Sequence, residues 1–96
     1  MKVTNYIRLS DFCQGHALEE SFLYELHEVG LIVIVEVEQQ PVLQTAELDR
    51  VERLVRLHRD LEIGPQGLLA VDHLLSRMQE LREEVLELRR RLNRWE

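Results

Sequence analysis

At 96 residues the chain has room for one small domain with an extended helix, and a fold this short buries only a modest core. Its 45% hydrophobic and 31% charged residues mark a globular chain, not a disordered one, and a formal net charge of −6 disfavours nonspecific attachment to nucleic acid or anionic lipid. The single cysteine, Cys13, excludes an intramolecular disulfide, and no apolar run approaches the roughly 20 residues of a membrane-spanning helix, so a cytoplasmic protein without a membrane anchor is expected.

Val3 to Ile7 reads as a short strand with Val3, Asn5 and Ile7 on one face. Ser10 is placed to N-cap a short helix through about His16, with Asp11 near its positive end, and Gly15 then loosens the chain. A second helix is expected over Glu19 to Val29: Phe22, Leu23, Leu26 and Val29 form one stripe, and Gly30 suits its C-terminal cap. Two short helices joined by a tight turn make a helix-turn-helix.

Leu31 to Val37, rich in β-branched residues, reads as a strand, Gln39 to Pro41 as a turn, and Val42 to Gln44 as a return strand. Thr45 is placed to N-cap a third helix from Ala46 to about Leu61. Its stripe is Leu48, Val51, Val55 and His58, flanked by Leu54, Leu57 and Leu61. After a connection at Glu62 to Gly64, Pro65 suits the first turn of a last helix that runs to the end of the chain. There Val71, Leu74, Met78, Leu81, Val85, Leu88, Leu92 and Trp95 alternate in steps of three and four. That is a 3.5-residue repeat, which demands cover from another helix. The expected organisation is a head over residues 1–64 and a C-terminal helix over 65–96 that packs on the head, on a second copy, or on both.

Charge is unevenly spread. Between Met1 and Glu38 seven acids face only Lys2 and Arg8, and no lysine or arginine lies between Arg8 and Arg50. The second helix carries Glu19, Glu20, Glu25 and Glu28. A DNA-reading helix needs Arg, Lys, Asn or Gln near its start, so this one would be repelled by a duplex and attracted to a basic protein helix. Arg50, Arg53, Arg56 and Arg59 recur every three residues on the third helix. They can be read as a phosphate-contacting stripe or, with Glu47, Asp49, Glu52 and Asp60 interleaved, as a solvated face, and the second reading is preferred.

Candidate chemistry is sparse. His16, His27, His58 and His73 show no metal-ligand spacing, Cys13 has no second thiol near it, and the four glycines form no phosphate loop. No enzyme activity, metal or cofactor is expected.

Leu9-Ser10-Asp11-Phe12-Cys13, followed by Glu19-Glu20, Leu23, Glu25-Leu26 and Val29-Gly30-Leu31, resembles the winged-helix head of MerR-like proteins. The later Arg56-Leu57-His58-Arg59-Asp60-Leu61-Glu62-Ile63, Gly67 and Leu88-Arg89-Arg90-Arg91-Leu92-Asn93-Arg94-Trp95 are similar to the remaining helices of chaperone modulators of the CbpM type. The resemblance covers nearly the whole chain. It implies a mainly α fold: a winged helix-turn-helix head with a small β-wing and a long C-terminal, coiled-coil-like helix. It also implies binding to the J-domain of a DnaJ/CbpA-like co-chaperone, blocking its stimulation of Hsp70 and its DNA binding. J-domains present a basic helix to Hsp70, which suits an acidic competitor. Two departures from the MerR pattern stand out. Ala17 lies where the helix-turn-helix usually has glycine, and Phe22-Leu23-Tyr24-Glu25 replaces the usual arginine and tyrosine pair. These weaken the alternative, a MerR-type DNA-binding transcriptional regulator, more than they weaken the modulator; a structural adaptor is a third reading.

From charge and expected exposure, partner contact is assigned to Glu19, Glu20, Tyr24, Glu28, Asp60 and Glu62. The seam of Met78, Leu81, Val85, Leu88, Leu92 and Trp95 is assigned to homodimer formation or packing on another copy's head.

Overall fold

The computed structural model describes residues 5–95. The first described element is strand β1 (Tyr6–Arg8), where half-buried Ile7 alternates with exposed Tyr6 and Arg8. The expected strand started earlier; Val3 lies outside the described residues. Helix α1 (Leu9–His16) follows with no intervening loop. Arg8 occupies the N-cap position without a side-chain cap, so Ser10 lies inside the helix rather than capping it.

Gly15 does not end α1. The helix ends at Ala17, which adopts the left-handed conformation at φ 54°, ψ 49°. The Ala17 N–H bonds to the Gln14 carbonyl and the Leu18 N–H to the Cys13 carbonyl at 2.9 Å, the double closure of a Schellman motif. Helix α2 (Glu20–Glu28) starts after Glu19 and ends the same way: Gly30, at φ 87°, bonds back to His27, and the Leu31 N–H bonds to Leu26 at 2.9 Å.

That second closure corrects the expected strand over Leu31 to Val37. The Leu31 amide is used to finish α2, and Leu31 and Ile32 are buried in the core as loop residues. Pairing begins only at β2 (Val35–Val37). The turn also shifts. Val37 pairs with Gln40, leaving Glu38 and Gln39 as the two-residue loop, both at positive φ, the type I′ pattern of a tight hairpin. Gln40 and Pro41 therefore belong to β3 (Gln40–Gln44). The sheet order is β1-β3-β2, antiparallel throughout, so β3 is central and ties the hairpin to the start of the chain.

Thr45 does not cap the third helix. It opens a 3-10 turn (Thr45–Glu47), and α3 (Leu48–Leu61) follows with Val51, Leu54 and Val55 buried. Helix α4 (Pro65–Arg94) is 30 residues long, about 45 Å at 1.5 Å per residue, and starts with proline in its first turn. The fold is thus mainly helical, with a helix-turn-helix of α1 and α2 and a three-stranded wing.

One core joins these elements: Leu9, Phe12 and Cys13 from α1, Phe22, Leu23 and Leu26 from α2, Leu43 from β3, the α3 stripe, and Leu68. Leu68 is the sole fully buried residue of α4 among those described. Beyond it the helix leaves the core, which explains principal extents of 59 × 42 × 21 Å.

Candidate protein-binding surface

The inner face of α2 is spent on the core, so its remaining residues point outward. Glu20, Tyr24 and Glu28 recur at i, i+4 and i+8 and share one exposed side; Ser21 and Glu25 are exposed beside them. Tyr24 is 41% exposed, an aromatic among carboxylates. Glu19, just before the helix, is exposed and accepts a hydrogen bond from the Ser21 hydroxyl at 3.4 Å. The Glu20 charge reaches inward as well: burial foremost, and then Glu20, push the Cys13 thiol above its usual pKa. Cys13 is a buried core thiol held toward its protonated form.

The C-terminal end of α3 meets the helix-turn-helix. The His58 ring stacks on the Phe22 ring with centroids 4.1 Å apart, and its Nδ1–H donates to the Ile63 carbonyl at 2.6 Å. The Arg59 guanidinium donates to the carbonyls of His16 and Ala17, the latter at 3.1 Å. Asp60 lines a shallow cavity with His16, Glu52 and Arg56. Asp60 is thus brought near the turn that leads into Glu19 and Glu20. Glu62, exposed in the α3–α4 connection at φ 54°, is held there by backbone conformation, and no described contact ties it to the other acids.

The arginine stripe of α3 is divided. Arg50 donates through Nε to the Leu31 carbonyl at 3.1 Å and clasps Asp72 of α4 with both terminal nitrogens, at 2.9 and 3.2 Å. Arg59 closes the end of α1 as described. Arg53 and Arg56 are exposed, with no acidic partner among the described residues. Their three-residue spacing does not separate the four arginines. Two are structural, and only the long-range contacts distinguish them. The β2–β3 hairpin of the wing carries no lysine or arginine, only the exposed Glu36 and Glu38, while the wing's one cation, Arg8, is exposed on β1. Both elements that a winged helix-turn-helix would turn toward a duplex are therefore acidic.

The C-terminal seam lies open. Met78 is 53% exposed, Leu92 60% and Trp95 88%, with Leu81, Val85 and Leu88 between them also exposed. Leu75 and Leu86 widen this apolar face beyond the repeat expected from spacing. At least along Met78–Trp95, α4 does not pack on its own head.

Among the described residues, no three His, Cys, Asp or Glu side chains are grouped to hold a metal ion, and no helix is long and apolar enough to cross a membrane. Residues 7–90 match the family model described as MerR HTH family regulatory protein. No curated protein matches the chain at a significant level. The match spans most of the chain, from β1 to near the end of α4, and the chain belongs to the MerR HTH family of regulatory proteins.

Proposed function

We propose that this MerR-family chain acts by holding another protein: the J-domain of a DnaJ/CbpA-like co-chaperone, whose stimulation of Hsp70 and DNA binding it would block, as in chaperone modulators of the CbpM type. The observation that carries this reading is the exposed side of α2, with Glu20, Glu25 and Glu28 around Tyr24 and no lysine or arginine on the helix. A basic helix meeting that side gains Coulomb attraction on approach, and Tyr24 supplies an aromatic anchor that stacks on arginine. Asp60, near the preceding turn, extends the acidic surface; Glu62 is assigned to its far edge.

In the same reading the seam from Met78 to Trp95 makes a coiled-coil-like contact with a second copy. An open apolar stripe 18 residues long, about two and a half heptads, is costly to leave in water.

Isothermal titration with the J-domain at two salt concentrations tests the reading. Micromolar binding that weakens with salt is expected. Charge reversal of Glu19, Glu20 and Glu28 together should weaken it by more than tenfold, and unchanged affinity would sink the assignment.

Family membership favours a second reading, a DNA-binding regulator. Its phosphate contacts would fall to Arg53 and Arg56, because Arg50 and Arg59 are engaged inside the fold. It predicts duplex binding with a steep salt slope.

A further inference from the structure

Helices α3 and α4 leave an open cavity of about 470 Å³ between them, within the size range of small-ligand sites. Arg50 and Asp72 line it, but they clasp each other, so neither charge is free. Arg53 of α3 and Arg82 of α4 line it as well. Both are exposed, and neither has an acidic partner among the described residues. For Arg82 the cause is local. One turn away on either side stand Met78, Gln79, Val85 and Leu86, none of them acidic. The nearby carboxylates of α4 are engaged elsewhere: Glu80 accepts from Arg77 and Glu83 from the Gln79 amide, each at 3.1 Å. Two guanidiniums that share a cavity without a counter-ion repel each other, and an anion between them replaces that repulsion with attraction.

The lining selects among anions. A carboxylate is planar and is satisfied by one arginine fork. A phosphate monoester is tetrahedral, carries more charge, and offers oxygens to two forks that arrive from different helices. The exposed Ser76 hydroxyl on the same wall is a further donor. Beside these groups Leu75 and Met78 are 41% and 53% exposed, an apolar shoulder for the organic part of a ligand. Met78 belongs to the C-terminal seam, whereas Leu75, Ser76 and Arg82 lie on its flank, so this site and a helix covering the seam occupy neighbouring sides of α4.

We propose that the α3–α4 groove binds a small phosphate monoester with an apolar body, the phosphate held between Arg53 and Arg82 with Ser76, and the body on Leu75 and Met78. The site is separate from the acidic side of α2 and goes beyond the co-chaperone reading. It pairs Arg53 with Arg82 on another helix, where the DNA reading pairs it with Arg56. A bound phosphate adds a second tie between α3 and α4 beside the Arg50–Asp72 clasp.

The probe is phenyl phosphate, titrated into the whole chain in phosphate-free buffer at low salt and followed by amide chemical shifts. Saturable binding is expected, with shifts centred on Arg53, Ser76 and Arg82 and a higher unfolding temperature at saturation. Arg53→Gln and Arg82→Gln should each weaken binding about tenfold, and Arg56→Gln should leave it unchanged. Should either glutamine variant lose its fold by circular dichroism, Ser76→Asp takes its place: it sets a carboxylate at an exposed helix position beside the phosphate and should abolish binding. Inorganic phosphate should bind about fivefold more weakly, because it leaves Leu75 and Met78 uncovered. No saturation up to about 10 mM, an equal loss in Arg56→Gln, or full affinity in Arg82→Gln or Ser76→Asp would overturn the proposal. Benzoate binding as tightly as phenyl phosphate would overturn the choice of phosphate, and inorganic phosphate doing so would overturn the apolar body.

Discussion

Replacing Arg50 by alanine should cost about 2 kcal/mol of stability. The side chain joins three parts of the fold: it sits on α3, donates to the Leu31 carbonyl just after α2, and clasps Asp72 on α4 at 2.9 and 3.2 Å. Hydrogen bonds to charged groups contribute roughly 1.5–3 kcal/mol each when well shielded. Here the side chains are 36% and 17% exposed, so the solvent discount is substantial and three bonds together reduce to about 2 kcal/mol. For a chain of this size that is a fall in Tm of roughly 8–16 °C. The assay is urea unfolding followed by far-ultraviolet circular dichroism at one fixed protein concentration, since self-association would shift the midpoint. Two further variants separate geometry from charge. Arg50→Lys keeps the charge but loses the planar fork, and should forfeit most of the same stability. Arg50→Ala combined with Asp72→Ala should lose less than the two singles added, with a coupling of about 1 kcal/mol. Wild-type stability in Arg50→Lys, or coupling within error of zero, would refute the view that the clasp fixes α4 on the head.

Ala17→Gly should stabilise the chain by about 1 kcal/mol, because alanine carries a steric cost at φ 54° that glycine avoids; a lower urea midpoint would contradict this. Gly67→Ala should lose about 1 kcal/mol despite its better helix propensity, since a Cβ there drives into the Ile63 side chain, whose backbone is held by His58. Thermal unfolding at equal concentration measures the change. Cys13, buried and with its pKa raised, should react with a thiol reagent at pH 8 only on unfolding. Because the folded thiol binds its proton more tightly than the unfolded one, its contribution is complete below the ordinary thiol pKa and is lost as pH rises through the folded value. Stability should therefore fall on the alkaline side, and Cys13→Ser should remove that part of the slope.

Helix content was legible because apolar spacing reports it directly. Phe22, Leu23 and Leu26 on α2, and Val51, Leu54 and Val55 on α3, are both the periodic residues and the buried ones. The acidic character of α2 was equally legible, since charge is a property of composition. What spacing could not resolve was the backbone accounting between elements. Leu31 and Ile32 open an apolar run, β-branched from Ile32 on, that has the look of a strand, yet Leu31 finishes α2 through its amide and both residues fill the core from a loop. Ser10 and Thr45 have the chemistry of caps, yet neither caps, because the chain enters α1 directly from β1 and enters α3 through a 3-10 turn.

The sequence by itself determined the local terms: which helix faces are apolar, where the chain is acidic or basic, and that α4 carries a stripe needing cover. These depend only on residues a few positions apart. Tertiary structure alone decided which like residues do different work. Arg50, Arg53, Arg56 and Arg59 are equivalent by period, but Arg50 faces Asp72 from 22 positions away and Arg59 faces Ala17 from 42. Such pairings depend on how the elements pack together, which no local pattern encodes. The same packing places Leu68 in the core and leaves Met78 to Trp95 outside it, so one helix serves as both an anchor and an open seam.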